Sequence, residues 1–157
     1  MIYKETCCFN KNLNKAFTLV ELIIVVIIVG ILASLGLTQY NLVVEKSRLA
    51  EAKVRIGTMR QLAYGYYADG GVMSAMQNAD LGVGEGCTSN SYYNYWISPS
   101  TSYVQLVADR CASGGKSPNT SRAYRFKLVY YPATGSTTWY CRYIDDNSPC
   151  FGFPPTN

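Results

Sequence analysis

Glu21 is the only charged residue between Phe17 and Leu37, and a carboxylate in such apolar surroundings calls for a cation to meet it. As a helix at ~1.5 Å per residue, that run spans the ~30 Å hydrocarbon core of a bilayer, where an unpaired carboxylate near one end costs ~2 to 3 kcal/mol. Gly30, Ala33, Ser34 and Gly36 are small enough to let helices approach closely in an apolar setting. A second chemistry belongs to Cys87, Cys111, Cys141 and Cys150, an even set beyond the run that suits two disulfides in an oxidising compartment. Four cysteines allow three pairings. The expected ones are Cys141 with Cys150, closing a short loop worth ~2 to 3 kcal/mol in the chain-entropy model, and Cys87 with Cys111.

Other chemistries find no support. The chain has no histidine, which removes Ser-His-Asp and Cys-His catalysis and every His-containing metal site, so no enzyme and no cofactor are expected. The four cysteines are too widely spaced for a zinc site. Gly82-Val83-Gly84-Glu85-Gly86 lacks the lysine and following helix of a phosphate loop. Asp145-Asp146-Asn147, with Glu85 as a conceivable fourth oxygen ligand for calcium, reads as a solvated turn, so no metal is expected. The aromatic cluster Tyr92 to Trp96 is expected to pack on its own domain rather than form an adhesive surface. Cys7 and Cys8 are read as inert thiols, and Asn119-Thr120-Ser121 matches a glycosylation sequon too short to carry weight.

The elements that position these residues follow from the pattern. From Tyr40 to Tyr67 an amphipathic stripe runs through Val43, Val44, Ser47, Ala50, Val54, Gly57, Gln61 and Leu62. No proline interrupts Phe17 to Tyr67, so one helix of about 75 Å is expected, stopped by Asp69-Gly70-Gly71. Residues 68–102, rich in Gly, Ser, Asn and Tyr, read as a connecting loop. Residues 103–144 read as an antiparallel sheet, with a short strand at Tyr103 to Val107 and a hairpin turning at Pro132 to Ser136. Residues 145–157 form a C-terminal loop and tail. The class is α+β.

The segment Lys15-Ala16-Phe17-Thr18-Leu19-Val20-Glu21-Leu22 resembles the N-terminus of type IV prepilins and of type II secretion pseudopilins. The resemblance implies a peptidase cut between Ala16 and Phe17, N-methylation of Phe17, and pairing of Glu21 with the Phe17 amine of an adjacent subunit. Ala16 stands where the family usually has Gly, and Thr38 where many major pilins carry Pro. The implied organisation is a leader at 1–16, a transmembrane and filament-core helix at 17–38, and a globular head at 39–157. The implied pilin-like fold packs the second half of the helix on a small antiparallel sheet.

Such a chain would be the subunit of a type IV pilus-like helical filament, a homo-oligomer. Its other partners would be the prepilin peptidase and the inner-membrane assembly machinery. It would cross the inner membrane once with its C-terminus outside, then join an extracellular filament. The alternatives are a type II secretion pseudopilin and a monomeric membrane-anchored binding domain. A secretory signal would be cut after its apolar core, whereas the implied bond precedes it, so the helix is retained. Losing three lysines and one glutamate with the leader takes the formal charge from +4 to +2, and the remaining cations are scattered along the sequence. No specific nucleic-acid partner is expected.

Overall fold

Uninterrupted helix formers carry α1 from Leu19 to Ala68 in the computed structural model, which describes residues 17–84, 86–120 and 122–155. The leader with Ala16, and also Glu85 and Ser121, lie outside the described residues. Helix α1 passes through Gly30 and Gly36 without a break. It ends in a Schellman motif: Gly71 N donates to Tyr66 O at 3.0 Å, Gly70 N donates to Tyr67 O at 3.1 Å, and Gly70 takes φ 81°. The chain divides into two compact units, Met1–Leu42 and Val43–Asn157.

In the first unit, α1 is a single apolar helix, long and apolar enough to cross a membrane. In the second, four strands form one antiparallel sheet in the order β1-β2-β3-β4: Tyr93–Pro99, Val104–Arg110, Tyr124–Tyr131 and Ser136–Tyr143. Period-two alternation sends Tyr124, Phe126, Leu128 and Tyr130 inward and Arg125, Lys127 and Val129 outward. The hairpin between β3 and β4 turns at residues 132–135, where Gly135 N donates to Tyr131 O at 2.9 Å.

Two expectations need correction. The segment 68–102 is not a plain loop: it holds two 3-10 turns, Met73–Ala75 and Asn78–Leu81, and then strand β1. The aromatic run forms that strand because Tyr93 and Ile97 alternate onto the core while the backbone pairs with β2 from Tyr93↔Arg110 to Pro99↔Val104. The helical stripe that packs on the sheet is also a different one. Leu49, Ala52, Ile56, Met59 and Ala63 are buried with Leu106, Phe126 and Leu128, whereas Val54 of the expected stripe is 73% exposed. Cations flank the true stripe and disguise it: Lys53 caps Phe153 at 4.7 Å and Arg60 caps Tyr130 at 5.8 Å.

Candidate assembly site and its supporting head

Thr18 stands immediately before α1 and acts as its N-cap. Its Oγ1 accepts from Glu21 N at 3.2 Å, while Glu21 Oε2 accepts from Thr18 N at 2.9 Å and from Thr18 Oγ1 at 2.8 Å. This is a reciprocal capping box, satisfying two of the donors that a helix start leaves open. Glu21 is therefore held back against its own helix start in the single chain. The signal was present as Thr18-x-x-Glu21, a spacing that the reading of Glu21 as an intersubunit group had passed over.

Beyond the box, every large apolar side chain among the described residues of the first unit is exposed. Leu19 is 74% exposed and Leu32 64% exposed, and no residue from Phe17 to Leu37 is buried. A bare apolar surface of this size requires lipid or protein to cover it. Of the small residues, Gly30, Ala33 and Ser34 fall within about 100° of one another around the helix, whereas Gly36 lies about 120° from Gly30. A Cβ added at Gly30 or Gly36 would meet nothing within 4 Å, so both positions are open. Ser34 Oγ donates to Ile31 O at 2.8 Å and needs no outside partner.

The head is locked by groups that sequence reading did not single out. Arg110, 2% exposed at the end of β2, donates from Nε to Glu45 Oε2 at 3.0 Å and from Nη2 to Glu45 Oε1 at 3.2 Å. It also donates to the carbonyls of Tyr92 at 3.0 Å and Ser117 at 2.6 Å, binding helix, the residue before β1 and the loop after β2 to one guanidinium. Tyr124 Oη donates to Glu45 Oε2 at 3.2 Å and lies 2.6 Å from Tyr93 Oη. Burial works against the Glu45 charge, but the hydrogen bonds and charge of Arg110, joined by those of Arg48, outweigh it and hold the carboxyl below its usual range. Burial pushes both Tyr93 and Tyr124 well above the usual phenol range.

Two disulfides close the head. Cys87 is bonded to Cys111 with Cα atoms 5.9 Å apart, tying the segment before β1 to the end of β2. Gly115 fits beside this bridge, where any Cβ would collide with Cys111. Cys141 is bonded to Cys150 with Cα atoms 5.2 Å apart, folding the tail onto β4, where Cys141 N donates to Pro154 O at 3.0 Å. The turn at Asp145 and Asp146 is engaged by Arg122, whose Nη2 lies 2.7 Å from Asp146 and Nε 3.7 Å from Asp145.

This architecture has counterparts. The family model described as the prokaryotic N-terminal methylation motif matches residues 11–37. The fimbrial protein EcpC of Eikenella corrodens is 32% identical over 134 residues, covering 83% of this chain and 84% of that protein. The fimbrial protein of Neisseria meningitidis serogroup B (strain ATCC BAA-335 / MC58) is 28% identical over 131 residues, covering 83% and 74%. A type IV major fimbrial protein FimA of Dichelobacter nodosus is 44% identical over 50 residues, 32% of each chain. No solved structure matches the chain. A methylation motif at the start of a bare apolar helix, joined to a head that aligns along most of a fimbrial protein, leads to one conclusion: the chain belongs to the type IV pilin family.

Proposed function

We propose that the chain is a structural subunit of a type IV pilus-like surface filament, assembled by burying residues 17–38 of many copies together. The observation that carries this reading is the fully exposed apolar helix, which a folded, disulfide-closed head can carry out of the membrane only if other helices replace the lipid. Processing between Ala16 and Phe17 by a prepilin peptidase, followed by N-methylation, frees a cationic amine next to the Thr18 cap. Glu21 then gives that amine a counter-charge across to a neighbouring subunit, while Gly30, Ala33 and Ser34 allow close helix approach. Before assembly the protein spans the inner membrane once with its head outside; afterwards it lies in the extracellular filament. The fimbrial names of the relatives favour this over a secretion pseudopilin.

Electron microscopy of sheared surface material, with intact-mass analysis of its subunits, tests the reading. Filaments built from a chain beginning at methylated Phe17 are expected. Exported protein that retains Met1, or that is found only as a membrane-bound monomer, would refute it.

A further inference from the structure

Cations scattered along the sequence are gathered by strand pairing onto the outward face of the sheet. Arg125 lies directly opposite Arg142, and Lys127 lies one pleat along, opposite Tyr140. Like charges directly opposed across strands destabilise a sheet, and among the described residues only Arg125 of the three cations has a carboxylate to relieve it. Asp109 is taken by Arg125 through contacts of 2.6 and 2.9 Å and by Trp96 Nε1 at 2.9 Å. Lys127 Nζ finds only the neutral Gln105 Oε1 at 3.0 Å, and Arg142 finds only the side-chain oxygen of Asn147. Among the described residues neither has a carboxylate partner, and Arg142 Nε is buried with no partner at all. Burial, then the charges of Arg142 and Arg125, hold the Lys127 ammonium below the usual lysine range. The fold thus maintains excess positive charge here at a cost in stability.

We propose that the outward sheet face centred on Lys127 is a docking surface for an acidic polysaccharide, whose carboxylates supply the counter-charge that Lys127 and Arg142 lack. This rests on the head forming the outer surface of the filament. Carboxylates fit a guanidinium and an ammonium on diagonal neighbours of adjacent strands, about 7 to 8 Å apart. Nucleic acid fits less well, because the rings that would stack bases are already covered: Arg125 lies 5.1 Å over Trp96 and Lys127 lies 5.8 Å over Tyr140. The surrounding Gln105, Thr138 and Tyr140 instead offer amide and hydroxyl partners to sugar hydroxyls.

The test uses the full-length chain, solubilised in detergent and immobilised, with polygalacturonate as the probe and neutral dextran and double-stranded DNA as comparisons. Polygalacturonate should be retained and dextran should not. Changing Lys127→Gln and Arg142→Gln together should weaken retention about tenfold, while Lys127→Arg preserves it. Arg142→Gln alone should also raise the thermal midpoint by relieving Arg125, a combination that a purely structural arginine would not give. Unchanged retention by the double variant, equal retention of dextran, or tighter retention of DNA would each overturn the proposal. The assay needs no filament, so failure of the subunit reading in microscopy would be seen separately.

Discussion

A single carboxylate can be asked to do two things, and the substitution chosen decides which of them is tested. Glu21 both closes the capping box with Thr18 and, on the proposed function, answers a neighbour's amine. Gln serves a capping box as well as Glu does, so Glu21→Gln should leave insertion and helix start intact while filament yield falls by about an order of magnitude. Glu21→Leu removes the cap as well, so its assembly defect would be ambiguous. Comparing sheared filaments with membrane-retained protein checks this, and equal filament yield from Glu21→Gln would end the intersubunit role.

Glu45 offers a second test at this scale. Its removal strands Arg110 in the core, so Glu45→Ala should cost about 3 kcal/mol in denaturant unfolding, and pairing it with Arg110→Met should cost far less than the sum. Because the folded carboxyl titrates below its unfolded value of 4.5, its contribution is present above that value and is lost as pH falls through the lower, folded one. Glu45→Gln should therefore flatten the acid side of the stability profile. The tyrosines act at the other end: their folded values lie above 10.0, so stability is whole below pH 10 and declines as pH rises past it. Tyr124→Phe should soften that decline.

Among the elements, α1 shows what periodicity can and cannot decide. Its existence, its stop at Asp69-Gly70-Gly71 and the β3–β4 hairpin were legible, because each rests on a local signal. The face that packs was not, since the helix carries two stripes of apolar or small residues and cations border the buried one. Truncation separates them: Ile56→Ala should cost about 3 kcal/mol and Val54→Ala under ~0.5 kcal/mol by denaturant unfolding of the solubilised chain. Strand β1 was missed for a related reason, because its glycine- and serine-rich flanks read as loop while only pairing with β2 stabilises the aromatic run. The Cys141–Cys150 bridge, nine residues apart, pins the tail to β4. Cys150→Ser should lower stability by ~2 to 3 kcal/mol and leave the other bridge intact on non-reducing peptide mapping.

For the molecule as a whole, the prediction concerns processing. On the proposed cut after Ala16, a peptidase pocket shaped for a small residue would accept a methyl group but little more, so Ala16→Gly should mature at least as well as the parent while Ala16→Leu should accumulate at full length. Intact mass of the membrane fraction checks both. What the sequence could not reveal at this scale is how strand order collects Arg125, Lys127 and Arg142 on one face, because the residues that meet are set by register rather than by spacing along the chain.

Because Glu21 already closes on Thr18 in the single chain, its carboxylate is never a bare ion waiting for company. A freed Phe17 amine would appear one residue from that cap. On the proposed route, joining a filament replaces the neutral hydrogen bonds of Thr18 around this carboxylate with a charged partner from the neighbour. Such a swap sets the new attraction against the hydrogen bonds given up when a subunit docks in step. It penalises a subunit docked a turn too high or too low, which strands an amine in hydrocarbon. The carboxylate then works as a proofreader of docking, and the adhesive is the row of bare leucine and isoleucine side chains behind it.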